Sequence, residues 1–208
     1  FGPIEKRVVV ERNLPFEPLQ DEERTFTIEK DVPSQALYKV WHIGPRNNTD
    51  FCTVDLITDL LSGGESGRLH TKLVREKKLF SEINAYITSD IDPGLIIVQG
   101  KLMKGIDIHH AEDSVNEVIN GLQERNGIDD EMEKVKNKFE SSSVFSNRSI
   151  LNKAISLASY ELLGDPELIN KEVEAYLKIS QEMVIEATRR YLRPSNCSTL
   201  YYKSNRKD

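Results

Sequence analysis

The spacing of apolar positions along the chain changes several times and predicts a mixture of strands and helices. Short apolar or alternating segments bounded by turn residues are typical of strands, and they occur at residues 25–29, 36–43, 83–88, 95–102 and 198–202. Apolar residues three or four positions apart predict helices in the remaining segments, which gives the order β-β-α-α-β-β-α-α-α-α-β. This order predicts an α+β fold, in which a mixed, largely antiparallel sheet packs its helices on one face as a two-layer sandwich.

The fourth predicted strand contains an unbroken apolar run, Leu95–Val98. A run of this kind is typical of a strand whose two faces are both covered, so we expect it in the middle of the sheet. The preceding strand at residues 83–88 is joined to it by the short loop Asp90–Gly94. A connection this short predicts that the two strands form an antiparallel hairpin.

A glycine-rich turn between two predicted helices is the feature around which the chain is organised. Apolar residues at spacings of three and four place the first of these helices at residues 51–61. Residues 48–50 suit the N-cap of this helix, and Gly63 or Gly64 suits its left-handed C-cap. A second, basic helix begins near Ser66, and two strands follow it.

The segment from Asp107 to Tyr191 is mostly helical in its pattern. Apolar positions continue at helical spacing from Ile128 to Leu163. An uninterrupted helix of that length would measure about 50 Å, which is long for one domain. We therefore predict a bend or break near Ser141–Ser143.

The composition argues against nucleic acid as the main partner and against a membrane span. The formal net charge is −6, whereas phosphate binding requires a basic face. No apolar run approaches the roughly 20 residues of a membrane-spanning helix. The two cysteines, Cys52 and Cys197, do not form a Cys-x-x-Cys pair, so a cysteine-based zinc site is not predicted.

The first 22 residues differ in character from the rest of the chain. Three prolines surround the short apolar run Val8–Val10, and proline fixes φ and removes a backbone donor. The sequence also begins without a methionine. We expect residues 1–22 to be an extended linker from an N-terminal domain that is missing here, and residues 23–208 to form one α+β domain.

The histidines do not form a zinc-protease motif. Such a helix requires His-Glu-x-x-His or the inverted His-x-x-Glu-His, which brings two imidazoles and a general base together. Residues 109–113 read His-His-Ala-Glu-Asp, so Asp113 occupies the position of the second histidine. A metal site there is one interpretation, and a solvated first helical turn is the one that we favour. With no serine or cysteine nucleophile motif either, we predict no catalytic residue and no metal ligand in this chain.

Two other features suit binding rather than catalysis. The glycine turn Gly63–Arg68 opens a helix and could hold a phosphate, but it follows a helix and lacks a Gly-Lys-Ser/Thr ending, so we favour a helix–helix connector. The basic run Lys72–Lys78 is either a solvated helix face or a site where Arg75 donates a forked hydrogen bond to a peptide carbonyl or carboxylate. An exposed sheet edge beside the hairpin could also add an extended peptide as a strand.

Several segments, taken in order, resemble one family of peptidases. They are Leu61–Leu69, Leu73–Phe80, Ala85–Tyr86, Asp92–Leu95, Glu133–Lys138 and Asn196–Tyr202. Together they resemble the C-terminal, non-catalytic domain of insulinase/pitrilysin-type (inverzincin) zinc metallopeptidases, especially bacterial, processing-peptidase-like members. The resemblance extends from about residue 25 to residue 202 and depends on the order and spacing of the segments rather than on a single motif.

The resemblance implies a zinc-dependent metalloendopeptidase built from two parts. An N-terminal domain, absent from this chain, holds zinc in a His-x-x-Glu-His motif and hydrolyses the peptide. The present chain is then the half that encloses and positions the peptide, and it needs no cofactor of its own. Its partners are that catalytic domain and the peptide substrate, with a homodimer or heterodimer also open. For a bacterial member the compartment is the periplasm or the cytoplasm.

Arg75 is the substrate-binding residue that the resemblance identifies. Many members use an arginine here, with a tyrosine seven positions later, to hold the substrate near the scissile bond. Arg75 matches the arginine, but the residue seven positions later is Glu82. If one glycine is missing before Leu79, Ser81 occupies the tyrosine position. The absent tyrosine leaves open a non-catalytic scaffold or binding subunit of the same fold, whose partner half is also inactive.

Overall fold

Five β-strands form one sheet in the part of the chain that the computed structural model describes, which is residues 3, 15, 17–88, 91–124 and 128–206. The strands are β1 (Arg24–Lys30), β2 (Ala36–His42), β3 (Phe80–Ile87), β4 (Leu95–Leu102) and β5 (Cys197–Ser204). Their order across the sheet is β1-β5-β2-β4-β3. The β1–β5 pair is parallel and the other pairs are antiparallel, so the predicted mixed, largely antiparallel sheet is confirmed.

Helices connect the strands in the predicted order. The α-helices are α1 (Phe51–Ser62), α2 (Ile108–Asn120), α3 (Ile128–Ser146), α4 (Ile150–Leu162), α5 (Leu168–Leu177) and α6 (Gln181–Tyr191). The helix after the glycine turn is a π-helix at His70–Glu76, and short 3₁₀ turns lie at Gly121–Gln123 and Pro194–Asn196. The predicted α+β class is confirmed. None of the described helices has the length and apolar composition needed to cross a membrane.

Alternation along β2 shows which face of the sheet the helices cover. Leu37, Lys39 and Trp41 are buried, whereas Tyr38 and Val40 are only half-buried. Because successive side chains of a strand point to opposite faces, the helices cover one face only. The core lies between that face and the helices. Its fully buried members include Leu56, Ile57, Leu61, Leu73, Ile96, Val115 and Leu122.

The unbroken apolar run of β4 does not have both faces covered, so that prediction is wrong. Ile96 and Val98 are buried under the helices, but Leu95 and Ile97 are half-buried on the opposite face. Ile97 lies beside Val40 of β2, and apolar cross-strand neighbours shield each other partly from water. A strand with one uncovered face can therefore be apolar at several consecutive positions. The antiparallel hairpin of β3 and β4 is confirmed, although residues 89–90 of its loop lie outside the described residues.

The long helical segment is broken between α3 and α4. The break falls between Ser146 and Ile150, slightly after the predicted Ser141–Ser143. The Ser149 hydroxyl accepts a hydrogen bond from the Asn152 amide at 3.3 Å and so caps α4. A serine N-cap of this kind starts a new helix rather than bending an old one.

Most of the predicted linker, including Val8–Val10, lies outside the described residues. Residues 17–20 are described, and Gln20 is buried against the sheet. Its Nε2 atom donates to the carbonyls of Cys197 at 2.7 Å and Glu22 at 2.8 Å. The chain is therefore attached to β5 before β1 begins, and the division between linker and domain after residue 22 stays a prediction.

Candidate functional site

The connection between α1 and β3 is irregular, and it contains the predicted site residue Arg75. In the π-helix the Lys77 amide donates to the carbonyl of Lys72, five residues earlier, at 3.0 Å. Lys78 then adopts a left-handed conformation with φ of 52°. π-Helical segments and local backbone strain are common at functional sites, so we take this connection as the candidate site.

Lys78 occupies a position that favours glycine. The Leu79 amide donates to the Leu73 carbonyl at 2.8 Å, which closes the end of the π-helix around Lys78. A left-handed conformation is strained for a residue that has a Cβ atom. If one glycine is missing before Leu79, as the alignment with Ser81 assumes, the lysine that now precedes Leu79 adopts a conformation that a glycine would adopt without strain.

Arg75 lies in the last turn of the π-helix, and its side chain is exposed. Among the described residues it takes part in no hydrogen bond or ion pair. The Nζ atom of nearby Lys77, by contrast, donates to Glu117 Oε2 at 2.6 Å and to Ser114 Oγ at 3.2 Å. The Arg75 guanidinium is thus free to bind a ligand, whereas Lys77 is held by α2.

Strand β3 follows Arg75 and forms one edge of the sheet. It pairs with β4 alone, so its outer backbone groups have no strand partner within the described ranges. An edge of this kind can pair with an extended peptide. The end of α1 borders the edge, where Ser62 Oγ lies 3.5 Å from Asn84 Oδ1. A register shift between Phe80 and Glu82 marks a bulge at the beginning of the edge.

Ser81 stands where the resemblance would place the tyrosine. Its side chain is exposed, and its hydroxyl donates to the Lys101 carbonyl at 3.2 Å. A serine side chain is much shorter than that of tyrosine, and this hydroxyl is already bonded to the sheet. Tyr86, further along β3, is 41% exposed. Arg75 therefore lies in the helix that precedes β3, and neither Ser81 nor Glu82 provides the tyrosine that the resemblance implies.

The sheet face opposite the helices, called the open face below, carries aromatic and apolar side chains. Phe26, Leu200 and Tyr38 are neighbours in register on β1, β5 and β2. Gln99 and Asn84 continue this row on β4 and β3. Phe26 is 57% exposed. Aromatic side chains on an uncovered surface are typical of a surface that contacts another polypeptide.

A shallow cavity of about 170 Å³ lies on the open face beside the β3 edge. Its lining combines an aromatic ring, amides and charged groups from Ala36, Tyr38, Glu82, Asn84, Gln99, Gly100 and Lys101. Lys101 Nζ lies 2.7 Å from Glu82 Oε1. Such a mixture of hydrogen-bond donors and acceptors suits a peptide backbone better than a wholly apolar molecule.

The glycine turn after α1 is a connector whose glycine amides are already bonded. Gly64 has a left-handed φ of 99°, as the C-cap prediction requires. The amides of Gly63 and Gly67 donate to carbonyls of α1 and of the turn at 2.6 and 2.9 Å. Arg68 fixes the turn to α3 through Glu131, with Nε and Oε2 2.5 Å apart. The engaged amides leave few donors for a phosphate and support the connector interpretation.

Glu112 lies in a buried polar cluster that the sequence analysis missed. Lys39 Nζ and the Tyr201 hydroxyl both donate to its carboxylate. The side chain of Lys39 is 2% exposed and that of Glu112 is 12% exposed. His109 and His110 of the same turn are exposed, so the predicted solvated turn is right for the histidines and wrong for Glu112. The described residues contain no group of three His, Cys, Asp or Glu side chains that could hold a metal.

The sequence does contain a signal for this cluster. Lys39 is two positions from both Leu37 and Trp41, so strand alternation places it on the buried face. Glu112 is four positions after Ile108, which places it on the apolar stripe of α2. A buried lysine and a buried glutamate require partners of opposite charge. The two residues could therefore have been predicted to pair.

The contacts of the cluster determine its protonation. Burial alone would raise the pKa of Glu112, but hydrogen bonds from Lys39 and Tyr201 lower it below the ordinary value of 4.5. Burial and the hydrogen bond to Glu112 raise the pKa of Tyr201, so its hydroxyl remains a donor at neutral pH. The cluster joins β2, β5 and α2, and its charges are already paired. Its contacts hold these three elements together.

The sequence of this chain matches the model of a known protein family. A sequence profile described as the peptidase M16 inactive domain matches residues 1–139. A search of curated proteins gave no significant match.

Solved structures with the same fold include several bacterial proteases. A protease from Helicobacter pylori has a TM-score of 0.89 and 18% identity, over 95% of this chain and 48% of that protein. The inactive peptidase domain of a candidate zinc protease from Bordetella parapertussis has a TM-score of 0.75 and 22% identity. The match covers 85% of this chain and 96% of that one. The peptidase M16 inactive domain from Pseudomonas fluorescens has a TM-score of 0.74 and 18% identity. The match covers 97% of this chain and 47% of that one.

These structural likenesses show the fold, because their sequence identities are low. The chain spans about half the length of the H. pylori protease. The profile, in contrast, matches by sequence and covers 139 of the 208 residues. It includes α1, the glycine turn, Arg75 and the β3–β4 hairpin. The chain therefore belongs to the family of peptidase M16 inactive domains, as the resemblance of its sequence segments predicted.

Proposed function

We propose that this chain is the non-catalytic half of a zinc-dependent metalloendopeptidase, where it encloses and positions a peptide that an N-terminal half cleaves. The observation that supports this proposal best is the exposed side chain of Arg75, which has no hydrogen bond or ion pair among the described residues and lies in the helix that leads into the edge strand β3. Residues 1–22 would connect the two halves. The H. pylori protease, about half of which this chain matches, is large enough to contain both.

Three features of the site suit an extended peptide. The outer edge of β3 can accept and donate backbone hydrogen bonds. Arg75 can donate a forked pair of hydrogen bonds to a carbonyl or carboxylate group of the peptide. The open face offers Tyr38 and Tyr86 to the peptide side chains. This half therefore contributes by orienting the substrate, which lowers the entropic part of the activation barrier.

The proposal assigns no zinc to this half of the protein. The described residues lack a group of three His, Cys, Asp or Glu side chains that could hold a metal. Glu112, which completes the nearest His-x-x-Glu pattern, is bonded to Lys39 and Tyr201. In the proposal, zinc and the activation of water belong to the N-terminal half.

Arg75→Ala in the whole protein tests the site directly. We expect kcat/KM for peptide cleavage to fall about 10- to 100-fold, because one charge-assisted hydrogen bond is worth about 1.5–3 kcal/mol. The urea midpoint should not change, since the side chain is exposed. Lys72→Ala is the matched control, because it removes another exposed cation from the same π-helix. Unchanged cleavage by Arg75→Ala, or an equal loss in both variants, would remove Arg75 from the site.

A scaffold or binding subunit with an inactive partner half is the second candidate, and Ser81 at the tyrosine position favours it. Such a subunit could work as a homodimer or heterodimer. The zinc content of the whole protein and its sequence upstream of Phe1 separate the two functions. A His-x-x-Glu-His motif with one bound zinc supports the peptidase. A whole protein without that motif and without zinc supports the scaffold.

A further inference from the structure

Strand β3 has one row of backbone groups that face away from the sheet. Hydrogen-bonded and non-hydrogen-bonded residue pairs alternate along an antiparallel ladder. The Thr88 amide donates to the Leu95 carbonyl at 2.9 Å, so this pair is a hydrogen-bonded one. The register of the hairpin then lets every second residue of β3 bond to β4, and these residues are Glu82, Asn84 and Tyr86. The residues whose amides and carbonyls face outward are Ile83, Ala85 and Ile87.

The outward groups are suited to pairing with another strand. No hydrogen bond joins them to any other part of the chain that the structure describes. Backbone amides and carbonyls require partners, and an extended peptide supplies them at matching intervals. The bulge between Phe80 and Glu82 disrupts the ladder at one end. The segment that can pair regularly is therefore Glu82–Ile87.

Side chains of alternate β3 residues would flank a paired peptide on the open face. Ile83 is buried under the helices, which places Glu82, Asn84 and Tyr86 on the open face. The Asn84 side chain is engaged with α1, because its Oδ1 atom lies 3.5 Å from Ser62 Oγ. Glu82 and Tyr86 are both exposed. These two residues, four positions apart, are therefore the ones left to contact the side chains of a peptide.

Tyr86 begins an apolar row across the open face. Its neighbour on β4 is Ile97, whose own neighbour on β2 is Val40. Tyr86 is 41% exposed, and the other two are half-buried. A peptide residue opposite Tyr86 would extend this row in a non-hydrogen-bonded pair, where side chains approach most closely. An apolar or aromatic side chain gains most from that position.

The other end of the edge is charged. Glu82 Oε1 lies 2.7 Å from Lys101 Nζ, and more than half of each side chain is exposed. A peptide residue opposite Glu82 meets the carboxylate before the ammonium group, because Glu82 is on the edge strand and Lys101 is one strand further in. Opposite charges on neighbouring strands attract and like charges repel. Lysine or arginine is therefore favoured at this peptide position over aspartate or glutamate.

We propose that the peptide accepted by this half has an apolar residue opposite Tyr86 and a basic residue opposite Glu82. The inference rests on the proposed function and names its substrate class: an extended segment in which lysine or arginine follows an apolar residue four positions later. That order holds for an antiparallel peptide, which is the more stable pairing and the one that β3 has with β4. Tyr86 and Glu82 then determine specificity, whereas the outward backbone groups bind every sequence alike.

Cleavage of a randomised peptide library by the whole protein tests both contacts. Mass spectrometry of the products, aligned on the cleaved bond, gives the preference at each peptide position. We expect Glu82→Lys to reverse the charge preference at one position, where basic residues lose about two- to tenfold relative to acidic ones. Glu82→Gln, which keeps the size of the side chain, should abolish that preference without reversing it. Tyr86→Ala should lower the apolar preference about two- to fivefold at the position four residues earlier.

Matched controls make the same chemical changes away from the β3 edge. Glu29→Lys reverses an exposed charge on β1, at the opposite edge of the sheet. Phe145→Ala removes an exposed aromatic ring from α3. Both controls should keep the wild-type preferences. An unchanged profile in the Glu82 and Tyr86 variants, equal changes in the controls, or affected positions that are not four residues apart in the stated order would overturn the inference.

The same library separates this inference from the proposed function. Zinc-dependent cleavage with preferences that do not respond to Glu82 and Tyr86 overturns the inference and leaves the proposed function standing. Absence of zinc-dependent cleavage by the whole protein contradicts the proposed function, and the inference fails with it.

Discussion

Lys39 and Glu112 hold opposite charges between β2 and α2, where they have little contact with water. Desolvating two charges costs free energy, so such a pair adds less to stability than its close contact suggests. Removing one partner is more damaging, because the other charge then stays buried without compensation. Tyr201 of β5 also bonds to Glu112, so the loss would affect three elements.

Glu112→Gln is expected to lower the free energy of unfolding by about 3 kcal/mol, because Lys39 then keeps a buried charge with no counter-charge. Urea unfolding at neutral pH measures this loss. Glu117→Gln is the matched control on the same helix, since Glu117 pairs with Lys77 at an exposed position. The control should cost less than about 1 kcal/mol. Equal losses in the two variants would show that the buried pair has no special role.

The contribution of Glu112 should also depend on pH. Its pKa is lower in the folded protein than the ordinary value of 4.5, so its stabilising effect is complete above that value and is lost as the pH falls through the folded pKa. The difference in unfolding free energy between the wild type and Glu112→Gln should be constant from about pH 8 to pH 6 and should shrink toward about pH 3. Urea unfolding in a series of buffers measures it. A difference that grows on acidification would have the wrong sign.

Single residues differ in how far their environment can be predicted from sequence. The exposure of Arg75 follows from the basic run around it, and the burial of Lys39 follows from the alternation of β2. The identity of the partner does not follow, because Lys39 and Glu112 are 73 positions apart. Their contact depends on where α2 crosses the sheet, which no local pattern describes.

At the scale of elements, the end of the π-helix combines a helical sequence with a strained residue. Lys78→Gly is expected to raise the free energy of unfolding by about 0.5 kcal/mol, because relief of left-handed strain exceeds the added flexibility of the unfolded chain. Thermal or urea unfolding measures the change. Lys72→Gly, in the interior of the same helix, should instead cost about 1 kcal/mol. If both substitutions destabilise the protein equally, Lys78 is not strained.

The period of the apolar residues predicts where elements lie better than it predicts their type. Leu69 and Leu73 are both fully buried, and a spacing of four residues suits an α-helix and a π-helix alike. The run Leu95–Val98 likewise fits a strand covered on one face or on both. The break before α4 depends on the cap at Ser149. Several serines a few residues earlier suit a break equally well, so the sequence predicted the break too early.

At the scale of the whole molecule, the last strand in the sequence lies inside the sheet. β5 separates β1 from β2 and provides Tyr201 to the buried cluster. Deleting residues 197–208 is therefore expected to abolish cooperative unfolding, as followed by far-ultraviolet circular dichroism. Deleting residues 205–208 is the control. This deletion removes the hydrogen bond from the Asn205 amide to the Lys30 carbonyl, 3.0 Å, and the exposed one from the Arg206 amide to the Ser204 hydroxyl, 3.3 Å. We expect it to lower the free energy of unfolding by about 1 kcal/mol.

A cooperative transition in the longer deletion would show that β2, β3 and β4 form a stable sheet without β5. The measurement thus distinguishes a strand that completes the fold from one that only extends it.

The strand order was the least predictable part of the fold from local pattern alone. Alternation identifies a strand but not its partner, and β1 and β5 come from opposite ends of the chain. The open face and the exposed apolar residues of α4 could not be predicted either, because exposure depends on which surfaces the other elements leave uncovered. The order of strands and helices predicted the two-layer architecture, and the family resemblance, which uses many segments at once, suggested the substrate-binding role of Arg75.

The late position of β5 also affects how the protein is made. Ribosomes add about 5–20 residues per second, so β1 is synthesised roughly 10 to 35 seconds before β5, its neighbour in the finished sheet. During this interval its unpaired edge is accessible to chaperones and to nascent copies of the same protein. A transcript that stops before Cys197 yields a sheet with a permanent gap between β1 and β2. An incomplete chain therefore exposes strand edges that β5 covers in the complete one.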